Sequence, residues 1–392
     1  MTSSVGDELR LISTNAALEN ACEKLAEGPF LAVDTEFHRE STYWPKLCLI
    51  QAATPDFDVL IDPLADGLDL KPFLDLIADP SRPKVFHAAR QDMEIFTRLI
   101  GSPPGPVFDS QIAAMACGLG DSISYENLVS QLLKGQVDKS SQFTDWTRRP
   151  LSDKQLRYAR SDVTYLREAY PILKAKLERL DRMAWIEEET AVLVDPATYD
   201  TDPEKAWRRL KLRKPKQDYL AVLAGVAAWR ERVAQDLNKP RGRILKDDAV
   251  QEIAQQKPQT ADAMDRLRAV PKGFANSRNG KSLLETINAA LMAPEDFAPK
   301  IERRPPPQHS PGAVGDLLKV LLKHVAEDAG VAPRLIANAA DVERIAVEDA
   351  PDVAALSGWR RQVFGEKALA LKAGKIGLAV SRRGVKLFDV ET

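Results

Sequence analysis

Five residues of this 392-residue chain have the types and spacing to do chemistry together: Asp34, Glu36, Asp92, Tyr158 and Asp162. Residues two apart in a strand point to the same face. Asp34 and Glu36, inside FLAVDTEF (30–37), therefore project together from an otherwise apolar run. Two acids on one face of a buried strand are costly unless something positive compensates them. Taken alone, the pair also reads as the solvent-facing side of an alternating strand, and a lone Asp on a helix as a solvated acid. That reading leaves the whole set unexplained. Asp92 lies in HAARQDMEIF, just after a strand pattern and near the start of a helix. Asp162 lies in YARSDVTYL, four residues after Tyr158, so the phenol and the carboxylate share a helical face.

Carboxylate oxygens suit hard divalent cations such as Mg²⁺. The histidines compete poorly for such an ion: His309 and His324 lie in the second half, and His38 has no partner at metal-ligand spacing. Two divalent ions about 4 Å apart can clamp an in-line phosphoryl displacement, one activating a water and the other stabilising the departing oxygen. Tyr158 has an unperturbed pKa of about 10, which makes it a poor base at neutral pH. Its expected part is to position the attacking water.

The elements that must carry these residues read as α/β. Segments 30–37, 47–53 and 58–61 are short strands separated by turn-formers, as in an antiparallel meander. KVFH (84–87) is a further buried-type strand leading into a helix over 91–100. Helical spacing continues over 110–117 and 125–133, then in a long run over 152–180 with Ser152 as N-cap. From about residue 184 strand signals almost vanish. VDPATYDTDPE (194–204) and the proline-rich 297–312, which contains IERRPPPQHSPG, read as linkers. A shift of 92 positions aligns Val233 with Val325, Ala234 with Ala326, Asp236 with Asp328, Ile244 with Ile336, Val250 with Val342, Ile253 with Ile345 and Ala254 with Ala346. Such matches suggest two copies of one helical module on either side of the second linker.

The composition is that of ordinary globular protein, 44% hydrophobic and 29% charged, and the net charge of −2 means that any nucleic-acid contact must come from local patches. Cys22, Cys48 and Cys117 show neither pairing nor metal-ligand spacing, which fits a reducing compartment. The first residues lack the apolar core of a secretory signal, and no stretch approaches the roughly 18 apolar residues of a membrane span. A cytoplasmic protein, with no membrane association, is expected.

The segments DTEFHRESTYWPKLCLIQ, HAARQDMEIF and YARSDVTYL, in that order, resemble the three exonuclease motifs of the DEDD superfamily. The tyrosine four residues before the last aspartate resembles its DEDDy branch. FDSQIAAMACG and DWTRRPLSDKQLRYARSDVTYL are similar to the ribonuclease D family in particular, and the two helical modules to the HRDC domains that follow its catalytic domain. The likeness is close over the first 200 residues and good around AAWRERVAQDLNKPRGRIL. It reaches the second module only through the repeat.

The resemblance implies a ribonuclease H-like α/β exonuclease domain over 1–200, an all-α HRDC-like module over 207–295 and a second, divergent one over 308–388. It implies metal ligands at Asp34, Glu36, Asp92 and Asp162, with Tyr158 as the fifth catalytic residue, and two divalent ions, Mg²⁺ or Mn²⁺. The implied activity is 3′→5′ exoribonuclease: trimming of tRNA precursors and other small structured RNAs with single-stranded 3′ ends, by a monomer, releasing nucleoside 5′-monophosphates.

Other residues have two readings each. Asp109 precedes a helix and is best explained as its N-cap. His87 ends a strand five residues before Asp92, where it either touches a nucleotide or is a satisfied structural histidine. Tyr43 and Trp44 either stack terminal bases or cover the core at a hairpin end. Gln142, Phe143, Trp146 and Arg149, before the last catalytic helix, are candidates to hold sugar or phosphate. KAWRRLKLRKPK (205–216) has seven basic residues and no acid, so Arg208, Arg209, Lys211, Arg213 and Lys214 are expected to contact an RNA backbone rather than form a solvated face. A proofreading-type DNA exonuclease would use the same four acids, and a non-catalytic nucleic-acid adaptor would need none of them.

Overall fold

The computed structural model describes residues 9–212, 216–301, 310–382 and 384–390. Arg213 and Lys214 of the basic run, and the three consecutive prolines and His309 of the second linker, lie outside these. The chain forms two compact units: Met1–Glu36 with Leu49–Thr198 and Pro305–Thr392, and Phe37–Cys48 with Tyr199–Arg304.

The first unit is built on a six-stranded mixed sheet of β1 (Leu11–Ile12), β2 (Leu31–His38), β3 (Lys46–Ala53), β4 (Asp58–Ile61), β5 (Lys84–Phe86) and β6 (Val107–Asp109), in the order β1-β4-β3-β2-β5-β6. β3 and β4 pair antiparallel, as the meander pattern predicts, with Ala53 opposite Asp58. β5 lies parallel to β2 and β6 parallel to β5. The strand carrying Asp34 and Glu36 is therefore interior to the sheet. Lys84, the first residue of the strand read as buried, is itself fully buried. Its ammonium donates to the carbonyls of Asp79, Arg82 and Gly105, so the end of α2 and two connecting segments share one cation.

The helices of this unit are α1 (Asn15–Ala26), α2 (Lys71–Ala78), α3 (Arg90–Ile100), α4 (Ser110–Ala116), α5 (Tyr125–Leu133), α6 (Asp153–Arg179) and α7 (Met183–Val194). Ser152 caps α6 in a reciprocal capping box with Gln155, which satisfies two end groups of this long helix. Asp58 then fixes α6 against the sheet. It accepts from Arg160 at 2.6 Å and from Arg167 at 3.3 Å, and these two arginines bracket Asp162. Asp109 caps α4 through the amides of Gln111 and Ile112, as expected, and also accepts from Ala88 and Ala89 at the entry to α3.

The second unit is helical: α8 (Gln217–Asp236), α9 (Arg241–Ile244), α10 (Asp247–Gln256), α11 (Ala261–Asp265), α12 (Arg278–Met292) and α13 (Pro294–Phe297). α8 is buried on nearly every side, which is why its sequence shows little amphipathic contrast. The stretch read as the first linker is built largely of short turns. It contains 3₁₀ turns at Pro196–Tyr199 and Pro203–Arg209.

The C-terminal module, α14 (Gly312–Ala329), α15 (Pro333–Ile336), α16 (Ala339–Val347), α17 (Gly358–Arg360) and α18 (Glu366–Lys372), repeats the first three helices of the other module. The shift of 92 carries the start of α9 onto α15 and of α10 onto α16. Beyond α16 the likeness ends, and the chain closes on a hairpin of β7 (Ile376–Ser381) and β8 (Gly384–Asp389). The all-α expectation for this module is corrected there. The module shares the hydrophobic core of the first unit, with Leu318, Leu321 and Val325 in one cluster with Ala113, Met115 and Ile186. Trp185 and Trp359 stack at 4.1 Å, and Arg182 donates to the carbonyls of Ala116, Ala329 and Gly330. The module packs against the ends of α4 and α7. Among the described residues, no helix is long and apolar enough to cross a membrane.

Candidate active site

β2 presents Asp34 and Glu36 toward α6, and α6 presents Asp162 in return. Carboxylate oxygens of these three residues lie within 4.8 Å of one another. Asp92 is outside that trio. Thr35, between the two strand acids, points to the other face of β2, and its hydroxyl donates to Asp92 at 2.5 Å. The α3 acid is thus tied to the acidic strand through the residue that the alternation turns away. Its charge still reaches the trio and helps to raise Glu36.

Burial and mutual repulsion dominate the electrostatics. Desolvation, then the charge of Asp162, hold the Asp34 carboxyl well above its usual range. Glu36 is pushed up to about 10 by burial and by Asp34, Asp162 and Asp92, and Asp162 up to about 8 by burial. Asp92 is raised by burial and by Asp34. Among the described residues no lysine, arginine or histidine forms an ion pair with any of the four. Asp162 Oδ2 is buried without a hydrogen-bond partner. An all-oxygen donor set with an unmet charge and an orphaned lone pair fits hard divalent cations.

One cavity of about 190 Å³ opens beside the acids and is lined by Asp34, Tyr158, Asp162, His87, Tyr125 and Gln142, among others. Tyr158 is driven up by burial and by the acids around it, so its hydroxyl keeps its proton. Trp146 is buried, its ring 6.1 Å from that of Tyr158. His87 and Gln142 line the cavity, whereas Phe143, the next residue in the chain, is 93% exposed and does not line it.

Other expected contacts fall elsewhere. Arg149 makes a two-pronged pair with Asp62, at 2.7 and 2.6 Å, and donates to the carbonyls of Trp146 and Arg148, so it holds the loop before α6 together. Tyr43 is buried within the second unit, where its hydroxyl donates to Glu231 and accepts from Arg241 and Gln235. It is a core residue rather than a stacking platform. Trp44 packs against Tyr43 edge-on at 4.6 Å, and its amide donates to Asn238. In the basic run Lys205 pairs with Asp200 and Arg209 with the buried Glu231, so acids from outside the run neutralise part of it. Arg208 and Lys211 are exposed, Arg208 lying over Trp207.

Sequence reasoning missed Thr35, Tyr125 and Asp58. The alternation itself could have flagged Thr35, as a polar residue on the opposite face of a buried strand. Asp58 and Tyr125 carry no such signal, because their partners lie far away in sequence.

Residues 9–178 match the 3′-5′ exonuclease domain family, and residues 220–287 match the HRDC domain. The chain is 47% identical over 380 residues to ribonuclease D of Acidiphilium cryptum, covering 97% of each chain. It is 49% identical over 373 residues to ribonuclease D of Nitrobacter hamburgensis, covering 95% of this chain and 97% of the other. Among solved structures it is similar to Escherichia coli RNase D, an exoribonuclease involved in structured RNA processing. That likeness has a TM-score of 0.79 and 29% identity over 93% of this chain and 98% of the other.

Proposed function

Since the chain belongs to the ribonuclease D family and is a hydrolytic 3′→5′ exoribonuclease, we propose that it trims the 3′ ends of tRNA precursors and other small structured RNAs, as a monomer, with Asp34, Glu36, Asp92 and Asp162 as ligands of two divalent ions, Mg²⁺ or Mn²⁺. The observation that carries the metal assignment is the convergence of Asp34, Glu36 and Asp162 within 4.8 Å, without a compensating cation among the described residues. Bound divalent ions would supply acidity for the attacking water and neutralise charge on the leaving 3′ oxygen.

The chain's own residues do the rest. Asp162 and Tyr158 come from one helix, and the Tyr158 hydroxyl, which keeps its proton, can orient a water for attack on the last phosphodiester. Cleavage between that phosphorus and the 3′ oxygen of the preceding nucleotide leaves the phosphate on the released nucleoside, as a 5′-monophosphate. Thr35 fixes Asp92 beside the strand acids. Gln142 lines the cavity, and Phe143, exposed and next to it in the chain, offers a stacking face to an incoming base. Residues 1–200 act as the catalytic domain and 207–295 as the HRDC-like module that holds the folded part of the RNA, with exposed Arg208 and Lys211 as backbone contacts. The second module, 308–388, supports the catalytic domain.

The test is a tRNA precursor with a short 3′ trailer, incubated with the enzyme and Mg²⁺ or Mn²⁺. Stepwise loss of the trailer with release of nucleoside 5′-monophosphates is expected. Intact trailer under conditions where an unstructured RNA is degraded would remove the precursor assignment.

A further inference from the structure

His87 stands in the same cavity as Asp34, Tyr158 and Asp162, but hydrolysis gives it no task. Its ring is held from two sides. Nδ1 is hydrogen-bonded with Ser110 Oγ at 2.9 Å, and the ring meets Tyr125 edge-on at 5.4 Å. The Tyr125 hydroxyl in turn donates to the carbonyls of Ser161 and Asp162 on α6, so the imidazole is fixed relative to the helix that carries a catalytic acid. Nε2 is buried and makes no well-formed hydrogen bond, although the Ile123 backbone lies close enough to act on the ring. Rigid mounting on one nitrogen with the other left unmet is the arrangement of a group that waits for a ligand.

The chemistry narrows that ligand. Burial lowers the His87 pKa, so the ring is neutral and offers a hydrogen bond rather than a countercharge for phosphate. An enzyme that removes successive nucleotides of any sequence gains nothing from reading a base edge. Tyr125, Val137 and Leu166 give the cavity apolar walls suited to the face of a base. What remains is the sugar, and the 2′-hydroxyl is the group that distinguishes RNA from DNA.

We propose that His87, through Nε2, hydrogen-bonds the 2′-hydroxyl of the 3′-terminal ribose and thereby sets the preference for RNA ends over DNA ends. The proposal rests on the nuclease reading above and adds a specificity-determining residue to that site.

Two 5′-labelled oligoribonucleotides, identical except for a 2′-deoxy sugar at the last residue, test it through kcat/KM for removal of that residue. Wild-type enzyme should favour the ribose end by about ten-fold or more, the scale of one hydrogen bond to a buried partner. In His87→Ala the preference should fall toward one, because the ribose end slows while the deoxyribose end stays within about three-fold of wild type. His87→Phe keeps a ring against Tyr125 and removes both nitrogens, so the same collapse is expected where the alanine variant folds poorly. An unchanged preference in either folded variant, or equal losses on both ends, overturns the proposal. If wild-type enzyme shortens neither end in the presence of Mg²⁺ or Mn²⁺, the catalytic reading itself fails, which is a different result.

Discussion

The Thr35 hydroxyl donates to the Asp92 carboxylate at 2.5 Å, joining the two faces of one strand into a single acidic site. Asp34 and Glu36 look toward α6, Thr35 looks toward α3, and the threonine gives Asp92 a fixed place that burial alone would not. Thr35→Val keeps the shape and removes the donor. Residues that orient ligands usually cost 10–100-fold when lost, so kcat should fall by about that factor. Loss of a hydrogen bond to a buried carboxylate should also cost about 1–3 kcal/mol of stability. Steady-state kinetics and thermal melts check both, and full activity would show that Asp92 needs no tether.

The acid cluster makes metal-free stability depend on pH. Asp162 and Glu36 have folded pKa values of about 8 and about 10, against roughly 4 in an unfolded chain. Between these limits the native state binds more protons than the unfolded one, so stability falls as pH rises from about 4 through 8. Melts without metal should therefore show Tm dropping across that window, and Mg²⁺ should raise Tm more at pH 8 than at pH 5. Asp162→Asn should raise the metal-free Tm at pH 8 while abolishing cleavage. A variant that melts lower than wild type would mean that the buried charge is already compensated.

Tyr158→Phe removes the proposed water-orienting hydroxyl and leaves all four carboxylates. It should lower kcat by about 100-fold, within the usual range for a positioned proton-handling group, with the Mg²⁺-induced rise in Tm retained. Loss of that rise along with activity would make Tyr158 a support for the acids instead.

Gly118 has φ 71°, and a Cβ placed there would lie 2.6 Å from the Gly330 carbonyl oxygen. This is where the turn after α4 meets the end of α14, beside the Arg182 contacts. Gly118→Ala combines a left-handed backbone with a clash, so a loss of about 2 kcal/mol or more is expected, read as a lower Tm. Proteolysis should then find the C-terminal module first. An unchanged melt would mean that the docking is loose.

Much of this was legible in the sequence because it is local. The strand acids follow from alternation, the capping box from Ser152 and Gln155, and the second module from a 92-residue shift whose matched positions Val342 and Ile345 are as buried as Val250 and Ile253. What stayed hidden depends on distant partners. Arg149 looks like a phosphate ligand until Asp62 occupies it, and Tyr43 looks like a stacking platform until Glu231 and Arg241 surround it. KVFH reads as a buried strand, but the three carbonyls that accept from Lys84 appear only once the chain has folded. The strands Leu11–Ile12 and Val107–Asp109 are too short to show a period, and exist because neighbours pair with them.

The central claim is that the acids of β2 and α6 form a metal-dependent hydrolytic site for RNA 3′ ends. The most direct measurement incubates a 5′-labelled hairpin RNA bearing a short single-stranded 3′ tail with wild-type enzyme or Asp162→Ala, with Mg²⁺, with Mn²⁺ and with EDTA. The expected result is a ladder shortened from the 3′ end, seen only with wild-type enzyme and divalent metal, while the variant still binds the RNA. A ladder that persists in EDTA, or in folded Asp162→Ala, would contradict the account.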